Sequence, residues 1–502
     1  MIYNDIYNDI YNDYFIEWLE LNPLIATRLG IHEWDDKFQN IYSEIYNKNL
    51  KNLYEKYKNK VINLENNIEN EYFRYFLSMK LDKRNEIEKY LPLDHKNNIF
   101  IFIVEIITDY QPLDNIDSFE KRFIEFNKSI PYLISRLRQG ITKNIVLPYC
   151  ITEIIINQLE DLWMDRSYYN NLSNEYRQIL DKYFITSLKK THDFFKNVYL
   201  KNSRKTIGID SILNGKEYYQ YLVDSETTQI SMSIIDIHNY GLIEIERILN
   251  KIELIGDVDD SIINNNSIIY YKKLNKEIEK TTIEKYFNPI KIPECKIKLI
   301  PKVREKNYSI AYYQTPTIND KEGTFYISNG TNKNQSKSLS LHENKPGHHY
   351  QFSIALDSNV PYYRIWSGWN SYIEGWALYV ENLGLYDRNE LIGKYYLELL
   401  RAIRLVVDTG INYYNWSFEH SYNFIKGIIP NIKENEIKNE IYGYISTPGR
   451  ALSYKIGEKA FIDLRKRWCI KNGNNNNSLK LFHSKILKKG PIPIFLFPKY
   501  DR

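Results

Sequence analysis

The sequence predicts a large, mostly α-helical protein whose two helical halves enclose a cleft, with a small β-sheet beside a candidate metal-binding helix. The chain has 502 residues, enough for a sizeable core and for two or more subdomains. From Asp13 to Leu200 apolar residues recur three and four positions apart and glycines are few, which is typical of helices. Around residues 296–328 apolar and aromatic residues follow at shorter spacing, which predicts strands.

The N-terminal part is expected to be a lead-in followed by helices. Residues 1–13 carry Ile-Tyr-Asn-Asp three times, a low-complexity pattern that predicts a poorly ordered segment. Residues 14–200 are predicted to form an N-terminal helical region, in which Ile99–Thr108 and Phe119–Leu137 have helical spacing. Residues 201–502 are predicted to form the catalytic region.

The catalytic region is predicted to begin with helices and to continue with the small sheet. Helical spacing covers Asn214–Ile252 and Glu277–Tyr286, and Gly256–Ser267 between them is predicted to be a loop. The pattern then changes to short strands, predicted at Lys296–Val303, Tyr308–Gln314 and Thr324–Ile327.

Composition favours an intracellular enzyme. With 67 basic and 63 acidic residues the net charge is +4, which gives no reason to expect a nucleic-acid or membrane partner. The most apolar run, Ile99–Ile107, is too short to span a bilayer. Cys150, Cys295 and Cys469 are odd in number and widely spaced, which indicates free thiols in a reducing compartment. No signal-peptide pattern opens the chain, so a cytoplasmic location is expected. The sequence does not indicate an oligomeric state.

The candidate functional site centres on the segment His342–His349, which contains three of the nine histidines of the chain. Neutral imidazoles and one carboxylate are the protein ligands that a catalytic zinc takes, with a fourth position left open for water. Glu343, beside the first histidine, is placed to accept the proton of that water as the general base. Glu374 offers the carboxylate. The sequence therefore predicts one zinc per chain, held by His342, Glu374 and a second histidine.

The second histidine is either His348 or His349. On an ideal helix His349 returns close to the azimuth of His342 after about 700° of rotation, but it lies about 10.5 Å further along the axis. His348 is favoured if Pro346 and Gly347 add residues to an ordinary H-E-x-x-H turn, and we favour this interpretation. Pro346 and Gly347 together predict a kinked or bulged helix. The other histidine would then face the substrate or a ligand. The alternative is a pair of structural histidines beside a proline kink.

Five motifs resemble the family called domain of unknown function 885, which is grouped with the thermolysin-like zinc metallopeptidases. Its HExxPGHHxQ signature is similar to Leu341–Gln351, and its EGWAxYxE block is similar to Glu374–Glu381. The blocks RLVVDTGIH and PGQALSYKIG are similar to Arg404–Asn412 and Pro448–Gly457, and a fifth block is similar to Phe482–Gly490. The motifs stand in the same order, so the resemblance covers nearly the whole chain. It implies a zinc peptidase in which an edge strand pairs with the substrate backbone, although a structural hairpin is an equal alternative.

The chain departs from the family pattern at several positions. Asn344 and Lys345 replace residues that are commonly small or apolar, and Arg450 replaces a glutamine. Asn412 replaces a histidine, which puts in doubt a second histidine that would steady a developing oxyanion. An asparagine can still donate a hydrogen bond there, without carrying charge.

Two further acids are candidates for supporting roles. A helix is predicted over Asn370–Asn382, with Glu374 at the edge of its apolar stripe. Glu381, two turns on, is interpreted first as a solvated surface acid, with a contact to a ligand histidine as the alternative. Asp408, in a helix predicted over Arg401–Gly410, is expected either to orient a ligand histidine or to pair with Arg404.

The last candidates follow the Pro448-Gly449 turn. By similarity to helical zinc peptidases, the Tyr454 hydroxyl is a candidate donor to the tetrahedral oxyanion, and Lys455 or Arg450 a candidate partner for a substrate carboxylate. The alternatives are a buried structural tyrosine and ordinary surface cations. His483 is interpreted as structural.

The function expected from these residues is zinc-dependent hydrolysis of peptide bonds by a metal-activated water. One alternative is an inactive descendant that binds peptides or a partner protein, and Asn412 is the feature that favours it. The other is a metal-dependent amidase that acts on a non-peptide substrate, because the same chemistry serves both.

Overall fold

The structure, a computed structural model, describes residues 9–256, 263, 267–301, 310–366 and 368–499. Within these residues the chain is mostly helical and contains one three-stranded sheet, which confirms the predicted fold class. Residues 1–8 of the predicted lead-in, most of the loop predicted at 256–267, and residues 302–303 and 308–309 of two predicted strands lie outside the described part.

The chain divides into two compact units, each built from separated segments. The first unit contains the residues up to Tyr221 together with Ile411–Thr447, and the second contains Leu222–Gly410 and the residues from Pro448 onward. The domain limits predicted from the sequence, and the cleft between two halves, stay predictions.

The first unit is helical throughout its described residues. Many of its helices begin at a side chain that accepts a backbone N–H of the first turn, as Asp9, Ser43 and Asn115 do, which satisfies donors that the helix itself leaves unpaired. Its α-helices are Ile10–Leu21, Pro23–Arg28, Glu44–Ile62, Ile68–Lys80, Ile99–Asp109, Ile116–Thr142, Tyr149–Met164, Asn174–Ile179, Thr186–Phe194, Leu200–Asn202, most of Gly215–Thr227, Phe418–Ile428 and Glu434–Ser446.

The second unit combines helices with the sheet. Helices Gly215–Thr227 and Arg388–Asn412 contain the unit boundaries. The remaining α-helices of the unit are Ile234–Ile255, Ser267–Ile278, Glu284–Tyr286, Ser336–Glu343, His348–Leu356, Tyr362–Trp366, Asn370–Glu381, Ser453–Asn472 and Asn476–Lys489.

Within Asn214–Ile252 the sequence pattern misses a break between two helices. The spacing over Asn214–Ile252 predicts continuous helix, but the structure has two helices that are separated between Thr227 and Ile234. Thr228 has a positive φ of 46°, which ends the first helix, and Ser233 forms a capping box that starts the second. The break is therefore encoded by local backbone and cap chemistry that apolar spacing does not report.

The sheet consists of β1 (Lys296–Leu299), β2 (Ala311–Gln314) and β3 (Thr324–Ile327), in the order β1-β3-β2. β1 runs parallel to the central β3, and β2 runs antiparallel to it. Phe325 and Ile327 of β3 are fully buried and share a core cluster with Leu339 and Leu341 of helix Ser336–Glu343. This packing places the sheet against the helix that carries His342, as predicted.

No described helix is long and apolar enough to cross a membrane. All three cysteines are free thiols.

Candidate metal centre

The motif residues lie on two helices, not on one kinked or bulged helix as the sequence suggests. The His-Glu helix (Ser336–Glu343) ends at Glu343, and the double-histidine helix (His348–Leu356) begins after four intervening residues. Pro346 has no N–H to continue the first helix. A Cβ at Gly347 would lie 1.8 Å from the His342 carbonyl oxygen, so the chain can approach that carbonyl only because this residue is glycine.

The connecting loop is tied to the helix that carries Glu374, the Glu374 helix (Asn370–Glu381). The Trp376 indole N–H donates to the Pro346 carbonyl over 2.8 Å, and Trp376 is fully buried. On the other side of the loop, Lys345 Nζ forms an ion pair of 2.7 Å with Glu279. These two contacts hold the loop, and therefore fix where His348 starts its helix.

Two imidazoles and one carboxylate converge at the centre. Glu374 Oε2 lies 3.3 Å from His342 Nε2 and 3.6 Å from His348 Nε2. Donors on a tetrahedral zinc with bonds of about 2.1 Å are separated by about 3.4 Å. The carboxylate oxygen is thus spaced from both nitrogens as a third tetrahedral ligand would be.

Glu343 is close to the same centre but fits a different role. Its Oε2 lies 4.0 Å from His348 Nε2, and one donor atom each of His342, Glu343 and His348 falls within 4.8 Å of the others. Glu374 fits the ligand position better because its separations match the tetrahedral value. Glu343 then lies next to the three ligands without being one of them, and its carboxylate can accept a proton.

An unsatisfied buried atom supports the fit of a cation. Glu374 Oε2 is buried and, among the described residues, has no hydrogen-bond partner of good geometry. A buried carboxylate oxygen without such a partner is costly. A divalent ion shared with the two imidazoles would satisfy it, so the residues present fit a zinc ion.

His349 is kept away from this centre by its own partners. It is fully buried, its Nε2 lies 2.8 Å from the Pro293 carbonyl, and its Nδ1 lies 3.1 Å from the Tyr313 hydroxyl. A carbonyl only accepts, so Nε2 carries the proton and Nδ1 accepts from Tyr313. Burial lowers the pKa of His349 to about 4, which keeps this ring neutral. The structure therefore brings His348, and not His349, to His342.

Glu381 is a buried partner of His342, and the interpretation as a solvated surface acid is wrong. Its Oε1 lies 2.8 Å from His342 Nδ1, and the residue is 2 % exposed. The helix is buried on every side from Gly375 to Glu381, so it has no solvated face there. Arg401, which no sequence pattern singles out, lies beside it with Nη2 3.9 Å from Oε1.

The protonation of the centre follows from burial and from the convergence of charges. Burial opposes a charge on His342, but the carboxylates of Glu374 and Glu381 raise its pKa to about 10. Burial likewise opposes ionisation of Glu374, yet the two imidazoles hold the pKa of its carboxyl well below the usual value. Burial raises the pKa of Glu343, which makes this carboxylate a stronger proton acceptor.

Tyr454 lies on a helix that packs closely against the Glu374 helix. In the Tyr454 helix (Ser453–Asn472), Gly457 packs so closely on the Glu374 helix that a Cβ at Gly375 would lie 2.4 Å from the Gly457 Cα. Glu374 and Tyr454 each lie within one turn of this contact. Burial raises the pKa of the Tyr454 hydroxyl, and the Glu374 charge raises it further, so the phenol stays a donor.

Lys455 does not fit the predicted role in binding a substrate carboxylate, nor that of a surface cation. It is 1 % exposed, and its Nζ lies 2.8 Å from Glu244 and 3.2 Å from Glu398, with Glu458 as a third partner. An ammonium group has three N–H donors, and here three carboxylates face it. Arg450, by contrast, is exposed.

Asp408 and Asn412 bond to the main chain. The Gly449 N–H donates to both oxygens of Asp408 over 3.0 and 3.1 Å. In the first unit, Asn412 accepts from the Ile209 N–H and donates to the Tyr444 carbonyl, both over 3.1 Å, and is fully buried. Both ends of the Asn412 amide are thus used in holding the backbone of its own unit.

His483 is structural in the described contacts, as the sequence suggests. It is fully buried, its Nδ1–H donates to the Tyr286 carbonyl, and its Nε2 accepts from the Tyr379 hydroxyl, both over 2.8 Å. Burial lowers its pKa to about 3.

Comparisons with known proteins place the chain in a family whose activity is unknown. Two solved structures share its fold: a protein of Colwellia psychrerythraea described as a putative lipoprotein (TM-score 0.86, 21 % identity, 98 % of this chain and 97 % of that one) and one of Shewanella oneidensis described as a putative lipoprotein of unknown function (TM-score 0.70, 16 % identity, 98 % of each chain). A search of curated proteins finds no match. The family described as "Bacterial protein of unknown function (DUF885)" matches residues 23–499, so the chain belongs to the DUF885 family.

Proposed function

We propose that the chain is a zinc-dependent peptidase of the thermolysin-like kind, with His342, His348 and Glu374 as the ligands of one zinc. The observation that carries this proposal is the spacing of Glu374 Oε2 from the two imidazole nitrogens, 3.3 and 3.6 Å. The bond from Glu381 to His342 Nδ1 adds support, because metal-binding histidines commonly donate their other N–H to a carboxylate.

The residues around the ligands supply the steps of hydrolysis. A bound zinc would lower the pKa of a water molecule and polarise the substrate carbonyl. Glu343 accepts the proton of the attacking water and delivers it to the leaving amine, so its carboxylate is the general base and then the general acid. Tyr454 donates its hydroxyl proton in a hydrogen bond to the oxyanion that forms on the substrate.

The alternative argument, for an inactive descendant, stays a prediction. That argument depends on Asn412, which is occupied by backbone groups of the first unit. Hydrolysis of a peptide and hydrolysis of a non-peptide amide would use the same residues of this site. A substrate screen distinguishes these two activities. The expected cytoplasmic location stays a prediction, and the two structural relatives are described as putative lipoproteins.

The test combines metal content with a substrate screen. Elemental analysis of protein purified without chelator should find about one zinc per chain. Mass spectrometry of a mixed peptide library should show cleavage by the wild type. Glu343→Gln should retain zinc and lose turnover, whereas Glu374→Gln should lose zinc. A chain that binds no zinc when zinc is supplied would overturn the proposal.

A further inference from the structure

A cavity of about 510 Å³ lies in the second unit, and its lining shares no residue with the metal centre. One side is formed by Lys345, from the loop between the two histidine helices, and by Tyr350 of the double-histidine helix. The other residues that line it come from the segment 279–292 and from helix Asn476–Lys489. The volume falls within the range of about 300–1,000 Å³ that small-molecule sites occupy.

The walls of the cavity are held by contacts of their own. The ring of Phe287 stacks on that of His483, with the ring centroids 4.5 Å apart. The next residue, Asn288, donates its side-chain amide to the Lys480 carbonyl, and its own carbonyl accepts from the Tyr350 hydroxyl, both over 3.5 Å. These contacts connect the segment to both helices that line the cavity. The cavity is therefore preformed, as most small-molecule sites are.

Part of the lining is an aliphatic surface that water can reach. Ile283, Ile290 and Ile292 are each partly exposed, and Pro289 is exposed. An aliphatic group that covers this surface removes apolar area from water, which favours binding. A small, strongly hydrated anion would leave these side chains in water. The apolar part of the lining therefore indicates a ligand with an alkyl body.

The charged part of the lining favours an anionic group on that ligand. Three lysines and two glutamates contribute to it, namely Lys291, Lys345, Lys480, Glu279 and Glu284. Glu279 is already paired with Lys345 over 2.7 Å, and Glu284 is exposed. Across the described residues, neither Lys291 nor Lys480 has an acidic partner. A lysine carries its charge on a flexible four-carbon stem, so both ammonium groups can turn towards an anion in the cavity.

We propose that this cavity is a binding site for a small aliphatic carboxylate. Its alkyl part packs on Ile283, Ile290 and Ile292. Its carboxylate pairs with Lys291 and Lys480 through charge-assisted hydrogen bonds, which orient the ligand. A free aliphatic acid and the C-terminal residue of an apolar peptide offer this same chemistry, and the test distinguishes the two sources. The site does not depend on the proposed peptidase function, because it uses none of the reacting residues.

The experiment measures binding to the zinc-loaded full chain by isothermal titration calorimetry. Octanoate has both the alkyl part and the carboxylate, octylamine reverses the charge, and acetate lacks the chain. We expect octanoate to bind with a Kd of about 1 mM or lower. Octylamine should bind at least about tenfold more weakly, and acetate should show no measurable binding. A comparison of octanoate with N-acetyl-leucyl-leucine distinguishes a free acid from a peptide end.

Variants test whether the ligand lies in the cavity. Ile290→Trp fills the aliphatic part and should abolish octanoate binding. Lys291→Gln and Lys480→Gln should each weaken it about two- to fivefold. Lys298→Gln is the matched control, because it removes an exposed lysine of the same unit that does not line the cavity, and it should leave the Kd unchanged. Glu374→Gln should bind octanoate as tightly as the wild type, which separates the cavity from coordination of the carboxylate to zinc.

Each outcome supports or refutes the site. No octanoate binding up to about 10 mM, or equal binding of octanoate and octylamine, would overturn the proposal. Binding that is unchanged in both Ile290→Trp and Lys480→Gln, or lost in Glu374→Gln, would place the ligand elsewhere and refute this site. Circular dichroism verifies the fold, and if Ile290→Trp does not fold, the two lysine variants decide. Tighter binding of octanoate assigns the site to free acids and tighter binding of the dipeptide assigns it to peptide ends, and both results support a carboxylate site.

Discussion

Replacing Glu381 by glutamine tests whether the buried carboxylate behind His342 serves the metal. The carboxylate accepts the His342 Nδ1–H over 2.8 Å, which leaves the lone pair of Nε2 directed to the side of Glu374. Glutamine has nearly the same shape and can still accept this bond, so packing is retained while the charge is lost. We expect Glu381→Gln to weaken zinc binding without removing any ligand.

The magnitude follows from burial and distance. Loss of a partner behind a metal-binding histidine typically costs 10–100-fold in metal affinity, or about 1.4–2.7 kcal/mol. Glu381 is 2 % exposed, so water cannot replace the lost charge, and Arg401 at 3.9 Å loses its neighbouring carboxylate. Both effects place the expected loss towards the upper end of that range.

Zinc affinity can be measured by competition with a fluorescent chelator at constant pH, with circular dichroism to verify the fold. Glu246→Gln is a matched control, because Glu246 is an exposed acid of the same unit. If the dissociation constants of Glu381→Gln and Glu246→Gln agree within about twofold, the carboxylate does not act through His342 and the reasoning is refuted.

Three other predictions follow from single contacts. His348→Ala should lose most of the zinc, whereas His349→Ala should keep it, because His349 bonds to Pro293 and Tyr313 and not to the centre; metal analysis showing the reverse would exchange the two roles. Gly457→Ala should destabilise the fold by about 3 kcal/mol in denaturant unfolding, because the added Cβ would lie 1.9 Å from the Ser371 carbonyl oxygen, and a neutral result would contradict the close helix contact. The folded-state pKa of His483, about 3, lies below its ordinary 6.5, so its contribution to stability is complete above pH 6.5 and is lost as the pH falls towards 3. Between pH 7 and 5 the loss should be about 2 kcal/mol, and His483→Gln should flatten the pH dependence of unfolding by that amount.

The sequence predicts most helices and the sheet because both depend on local periodicity. Ile99–Thr108 is found as Ile99–Asp109, and the strand predicted at Thr324–Ile327 has the same limits in the structure. The break between Glu343 and His348 is harder to predict, because Pro346 indicates only that a regular helix cannot continue. Whether the chain kinks or ends depends on how closely Gly347 approaches the His342 carbonyl, which is a tertiary distance.

The supporting residues are less predictable than the ligands. A period of 3.6 residues assumes that a helix has one buried and one solvated face, and it assigns Glu381 to solvent. The Glu374 helix is buried on all sides over its last turns, so this assumption fails. The predictions for Lys455 fail for a related reason. Two of its carboxylate partners, Glu244 and Glu398, lie far away in the sequence, and no local pattern indicates that they are near.

The charges of the residues at this centre also fit a divalent ion. Glu343, Glu374 and Glu381 place three carboxylates close to His342, and Arg401 is the one permanently charged cation that the described contacts place beside them. Without zinc, the His342 pKa of about 10 keeps a proton on this ring, which offsets part of the negative charge. With His342 and His348 neutral, as zinc ligands must be, the group carries a net charge of −2. Buried charge without compensation is strongly destabilising, and one zinc ion neutralises this group. Glu381→Gln removes one of these negative charges, so the loss of zinc affinity expected for that variant follows from the balance of charge as well as from the hydrogen bond.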